Sequence, residues 1–155
     1  MPDAIVIGSD HAGFDLKEKL KRALDRLGLP YEDVGTHGKE PVDYPDYAHR
    51  VAEAVEEGRH ARGIVVCGTG IGVSMAANRH RGVRAAVAYD EDTARLSREH
   101  NDSNVLALGG RSLDHALAER ILEIWLKTPF SGGRHARRVE KIELPTAERP
   151  KTEPR

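Results

Sequence analysis

The stretch IVVCGTGIGVS, residues 64–74, decides the fold of this chain. "GIVVC" (63–67) is apolar throughout, where a strand with one wet face would alternate. Such runs belong to a parallel sheet covered on both sides. "GTGIG" (68–72) then turns the chain, and a helix is expected to begin near Gly70. A buried strand, a glycine turn and a helix open a βαβ unit. The single cysteine, Cys67, stands at the join.

The pattern repeats on either side. "AIVIG" (4–8), the weaker "YEDVG" (31–35), "RAAVAY" (84–89) and "VLALGG" (105–110) read as four more strands. Helical period marks the segments between them. Leu16, Leu20, Ala23, Leu24 and Leu27 share one face of a helix from Phe14, and Tyr47, Val51, Ala54 and Val55 share a face after the loop "EPVDYPDY". Another helix starts near Asp92, and a long one carries Leu113, Leu117, Ile121, Ile124 and Trp125 and stops before Pro129. The fold class is therefore α/β, a three-layer α/β/α Rossmann-like arrangement on a five-stranded parallel sheet. One domain is expected over 1–145, closing with a basic helix at about 132–143 in "FSGGRHARRVEKIELP". Residues 146–155, "TAERPKTEPR", are expected to form a disordered polar tail.

At 155 residues the chain is long enough for one well-formed core. A net charge of −1 gives no reason to expect nucleic acid or a membrane surface as partner, and scarce aromatics weaken any base-stacking role. "MPDAIVIGSD" lacks the charged and apolar regions of a secretory signal, and no run approaches the roughly 20 apolar residues that span a bilayer. One cysteine cannot pair within the chain, so a reducing cytoplasm is the expected location.

In an open parallel sheet, ligands bind beyond the carboxyl ends of the strands. Cys67 lies at such an end, and glycines after it let backbone amides surround an anion. The same field favours a thiolate over a thiol. A cysteine that merely ends a buried strand accounts for the residue about as well. Named motifs fail on the letters: Gly72 is followed by Val73 and Ser74 where a P-loop needs Lys and Ser or Thr, and a dinucleotide fingerprint belongs in the first strand–helix turn. Val73 also stands where a cysteine phosphatase loop needs arginine. What remains is an anion-stabilising loop with a thiolate at its rim, suited to an enediolate oxygen or to a phosphate.

Asp10 and His11 follow the first strand, and Asp10 could instead cap the next helix. His100, Asn101 and Asp102 precede the fifth strand, and Arg111 follows it. Arg134 and Arg138, four apart, share a helix face that could grip one phosphate, although such charge runs are more often solvated. Together these residues suit a phosphorylated small molecule. The eight histidines include no HExxH spacing, so no metal is expected. His80, His115 and His135 read as surface or helix-face residues, and His37 and His49 stay unassigned.

"GSDHAGF", "DYPDYA", "CGTGIGVSMAANRHRGVRAA", "SREHNDSNVLALGGR" and "GGRHARRV", in this order, closely resemble the type B ribose-5-phosphate isomerase family, which includes galactose-6-phosphate isomerase subunits. The resemblance runs from near residue 5 to about 140 and implies interconversion of ribose 5-phosphate and ribulose 5-phosphate through an enediolate, with no cofactor. It implies that Cys67 is the base, that His100 opens the furanose ring, and that Gly68, Thr69, Gly70, Ile71 and Gly72 hold the enediolate. Asp10, His11, Asn101, Arg111, Arg134 and Arg138 match substrate-binding positions. Members that lack the cysteine use a glutamate a few residues on, and "GIGVSMAAN" has no acid. The resemblance further implies homodimers with sites shared between chains, and tetramers in some members. Alternatives are another sugar phosphate (allose 6-phosphate or galactose 6-phosphate), a non-catalytic sugar-phosphate sensor, and a phosphoacceptor signalling domain. The last needs an aspartate where Cys67 stands.

Overall fold

A computed structural model describes residues 4–145. The tail expected over 146–155 lies outside the described residues. Eleven elements follow in order: β1 (Ile5–Ser9), α1 (Phe14–Arg26), β2 (Tyr31–Asp33), α2 (Tyr44–Glu56), β3 (Arg62–Cys67), α3 (Ile71–Ala77), β4 (Ala85–Val87), α4 (Glu91–Glu99), β5 (Val105–Gly109), α5 (His115–Lys127) and α6 (Arg134–Glu140). The five strands form one sheet in the order β2-β1-β3-β5-β4, every pair parallel.

Unbroken apolar runs make the central strands, as the pattern requires. β1 and β5 are buried at every position, and β3 at every position after Arg62. The edge strands β2 and β4 are only half-buried and three residues long, shorter than the 31–35 and 84–89 runs suggested. β4 gives way early to the N-terminus of α4, where Asp90 and Thr93 form a reciprocal capping box. α2 begins at Tyr44, inside the stretch read as loop, with proline in its first turn where no amide partner is needed.

Side chains alternate between two cores. Ile5, Ile7, Ile64, Val66, Leu106 and Leu108 pack with α1, α4 and α5 around the fully buried Trp125. Val6, Val65, Val105 and Ala107 pack on the other face with α2 and α3, and Cys67 belongs to this second set. The pleat therefore aims the thiol toward α3.

Lys17 breaks the pattern, being fully buried on α1. Its ammonium donates to both oxygens of Asp33, at 2.7 and 2.6 Å, and to the Thr36 carbonyl at 2.7 Å. Three acceptors meet its three N–H donors, which is how a charge is tolerated there. Burial raises the Asp33 pKa, but the hydrogen bonds from Lys17, Lys21 and the Gly35 amide outweigh it and hold the carboxyl below its ordinary range.

Candidate active site

The strand order reverses direction at β1: β2 lies on one side of it and β3 on the other. The crevice beyond β1 and β3 is thus the topological switch point, where an open α/β sheet takes its ligand. Asp10, His11 and Cys67 stand at its two lips. The Asp10 amide donates to the Val66 carbonyl at 3.2 Å, stitching the lips together.

Glycines allow three chain segments to meet here. A Cβ at Gly13 would fall 2.6 Å from the Val66 oxygen, and one at Gly110 2.9 Å from the Ala12 oxygen. Gly70, with φ +80°, sits against β5, where a Cβ would meet the Leu108 carbonyl carbon at 3.0 Å. That approach points the Gly70 amide at Cys67, donating to Sγ at 3.2 Å. The thiol is buried, 5% exposed. The Ile71 amide bonds Thr69 Oγ1 at 3.2 Å. Two of the five amides expected to form an anion hole are thus engaged inside the loop, one of them on the sulfur itself.

Around this loop, Asp10 is nearly buried and accepts from the Gly13 amide at 3.0 Å. The helix cap itself is Gly13, so Asp10 braces the turn before α1 while one carboxylate oxygen stays available. His11 Nδ1 accepts from the Val42 amide at 3.1 Å, which leaves Nε2 as the nitrogen that can donate. Arg111 is tied in through its amide, which bonds the Gly68 carbonyl at 3.0 Å. Tyr44, missed in the sequence, lies across Gly72: a Cβ there would fall 2.7 Å from its ring. Its position at the start of α2 was hidden inside the stretch read as a loop.

His100, Asn101, Arg134 and Arg138 are not in this group. α4 runs back against the strands and delivers His100 and Asn101 to the amino end of β5. Cys67 is in register with Gly109, at the other end of that strand. Four residue steps at ~3.3 Å put about 13 Å of strand between the two ends. His100, Asn101, Arg134 and Arg138 instead line a cavity of about 330 Å³ with His135, Val139 and Ile142. A larger one, about 830 Å³, adjoins it and shares Asn101 and Ile142. Neither is lined by Cys67. The residues expected to form one site therefore fall into two groups at opposite ends of the sheet.

The histidines read as surface or helix-face residues are half-buried and have partners. His80 bonds Glu56 at 2.9 Å and His49 at 2.7 Å, between α2 and α3. His115 bridges Lys19 and the Gly110 carbonyl, both at 2.8 Å. His135 stacks on His100. Among the described residues no three His, Cys, Asp or Glu side chains are grouped to hold a metal ion, and no helix is long and apolar enough to cross a membrane.

Known proteins resemble this chain over most of its length. A model of the Ribose/Galactose Isomerase family matches residues 5–142. Ribose-5-phosphate isomerase B of Escherichia coli is 47% identical over 138 residues, covering 89% of this chain and 93% of the other. D-erythrulose-4-phosphate isomerase of Pectobacterium atrosepticum is 42% identical over 141 residues, covering 90% and 92%. The structure of Clostridium thermocellum ribose-5-phosphate isomerase B superposes with a TM-score of 0.88 at 55% identity, covering 90% of this chain and 94% of that one. With a matched family model spanning nearly the whole described fold and relatives this similar over 89% or more of both chains, the chain belongs to the Ribose/Galactose Isomerase family.

Proposed function

We propose that this chain is an aldose–ketose isomerase that interconverts D-ribose 5-phosphate and D-ribulose 5-phosphate, at a site closed by two copies of the chain. The observation that carries this is the complementarity of the two separated groups. One end offers a sulfur base with an amide aimed at it; the other offers an exposed histidine and two arginines in one cavity. A sugar phosphate needs both, one at its reacting carbons and one at its ring oxygen and phosphate. Tyr44, Ile71, Met75 and Tyr89 are exposed large side chains on the Cys67 side, a surface suited to a second copy bringing its His100 end.

The chemistry follows from these parts. His100 delivers a proton to the furanose ring oxygen while the anomeric hydroxyl gives its own to water, and the chain opens to the aldehyde. The Cys67 thiolate then takes the C2 proton, and the electron pair moves onto the carbonyl oxygen to give the enediolate. Amides of the 68–72 loop stabilise that charge where it develops, an effect worth about 3–4 kcal/mol per donor in comparable sites. The proton returns at C1 as the O2 proton passes to O1, leaving the ketose. Arg134 and Arg138 hold the phosphate, and this remote grip positions C1 and C2 against the sulfur.

The test is turnover of ribose 5-phosphate by purified protein, with Cys67→Ala and His100→Ala alongside. Each variant alone should be inactive, and mixing them after subunit exchange should restore about a quarter of the sites' activity, as random pairing places both intact halves in one site of each heterodimer. An inactive wild type refutes the pentose substrate; no recovery in verified heterodimers refutes the shared site. The Pectobacterium relative's name favours a second reading, isomerisation of a tetrose phosphate, so D-erythrulose 4-phosphate belongs in the substrate panel.

A further inference from the structure

His100 has a task that depends on aim: a general acid must hold its proton within hydrogen-bond reach of the ring oxygen. Yet His100 is exposed, stands past the last turn of α4 as its cap, and among the described residues its ring makes no hydrogen bond. Such a side chain would rotate freely. Its one ring contact is His135, with centroids 4.3 Å apart and planes 13° from parallel.

The backbone holds that contact in place. The Ser131 amide donates to the Glu99 carbonyl at 3.1 Å, clamping the approach to α6 onto the end of α4. Gly132 and Gly133, with φ of +63° and +56°, then turn the chain back, a conformation that side chains resist. His135 follows in the first turn of α6, and its amide closes on Gly132 at 3.1 Å. The stack thus joins two short segments already fixed to each other.

We infer that His135 is a positioning residue for the isomerase reaction: its ring face fixes the plane of His100 and so the direction in which His100 delivers its proton. Charge supports the arrangement. Burial, then the neighbouring His100, Arg134 and Arg138, hold His135 below the ordinary histidine range. A neutral ring can lie against a protonated His100 without repelling it, whereas two imidazolium rings would separate. Arg134 and Arg138 grip the phosphate independently of the stack, so the effect should fall on kcat.

This inference rests on the proposed isomerase function, and the experiment keeps the two apart. In His135→Ala, kcat for ribose 5-phosphate should fall about tenfold, part of the 10²–10⁴-fold that general acid–base catalysis contributes, with KM within about twofold. His135→Phe keeps a flat face and should recover most of kcat. His135→Gln replaces the alanine variant if circular dichroism finds that one unfolded. Proton NMR reads the stack without turnover: the ring-current shift of the His100 ring protons should vanish in the alanine or glutamine variant and persist with phenylalanine. An unchanged kcat, a loss in KM alone, a phenylalanine variant as impaired as alanine, or His100 shifts that ignore the substitution would each overturn the inference. A wild type inactive on ribose 5-phosphate would instead refute the function and with it the catalytic part of this inference.

Discussion

Gly70→Ala tests whether the glycine loop is built to aim an amide at Cys67. Gly70 has φ +80° and ψ −13°, and left-handed backbone costs an L-residue about 1–2 kcal/mol. The added Cβ would meet Leu108 C at 3.0 Å, Leu108 N at 3.2 Å and Gly109 N at 3.3 Å. These are backbone atoms of β5, where Leu108 and Gly109 are held in register by β3, so the loop must move before the strand does. Overpacking of this kind adds at least about 1 kcal/mol. A total near 3 kcal/mol lowers Tm by about 6–12 °C for a domain of this size. The larger effect is on turnover. Displacing the loop carries the Gly70 amide away from Sγ, now 3.2 Å distant, and misplacements of about 1 Å at a reacting centre cost on the order of 10²-fold. Thermal unfolding at fixed protomer concentration and kcat on ribose 5-phosphate are the assays. Gly68→Ala is the stability control, since its Cβ would make only ordinary contacts at 3.7 Å with Ala12 and Arg111, and its Tm should stay within about 2 °C. A Gly70→Ala protein as stable as that control, with kcat intact, would refute the role assigned to the loop.

Lys17→Met should cost about 3 kcal/mol, the lower end for breaking a buried ion pair, because Lys21 and the Gly35 amide still serve Asp33. Asp33 is depressed in the folded state, so the wild type's advantage should be full above 3.8, the ordinary value, and close as pH falls through the lower folded value. Urea unfolding of both proteins between pH 7 and pH 2.5 checks this, and a gap that stays constant to pH 2.5 would count against it. Truncation after Pro145 should leave kcat unchanged, because the residues placed in both groups end at Arg138; a large fall would mean that the tail completes the site.

How much of this was legible depends on where the information lies. The central strands announced themselves because β1, β3 and β5 are apolar at nearly every position, but that uniformity also hid their order. A strand buried on both faces carries no sign of its neighbour, so nothing in "VLALGG" told that β5 inserts between β3 and β4. The Cys67 loop was readable because its glycines are local and their purpose is local. Lys17 was not, since lysine is almost never fully buried and its partner Asp33 ends a different strand. His135 was hidden inside a basic run, and its contact with His100 spans a separation that no periodicity reports. The division of the site into two ends was within reach, however. His100 precedes a strand and Cys67 ends one, and parallel strands fix those as opposite ends.

That division has a consequence for activity at low concentration. A parallel sheet gathers its strand-end loops on one side, and in this structure His100, Arg134 and Arg138 lie at the other, about 13 Å of strand away from Cys67. A twofold axis can unite them: one rotation brings each His100 end to the other chain's Cys67 end and completes two sites at once. If the site is shared in this way, a lone protomer holds no complete site. Below the dissociation constant of the dimer, the dimer concentration varies as the square of protomer concentration, and so should the initial rate. Turnover of ribose 5-phosphate over a dilution series, set beside analytical ultracentrifugation across the same range, reads this directly. The expected log–log slope rises from one toward two where the dimer dissociates. A slope that remains one in samples sedimenting as monomers would mean that a single chain closes its own site, and the 13 Å of β5 between the two groups would then have to be crossed by a rearrangement of α6.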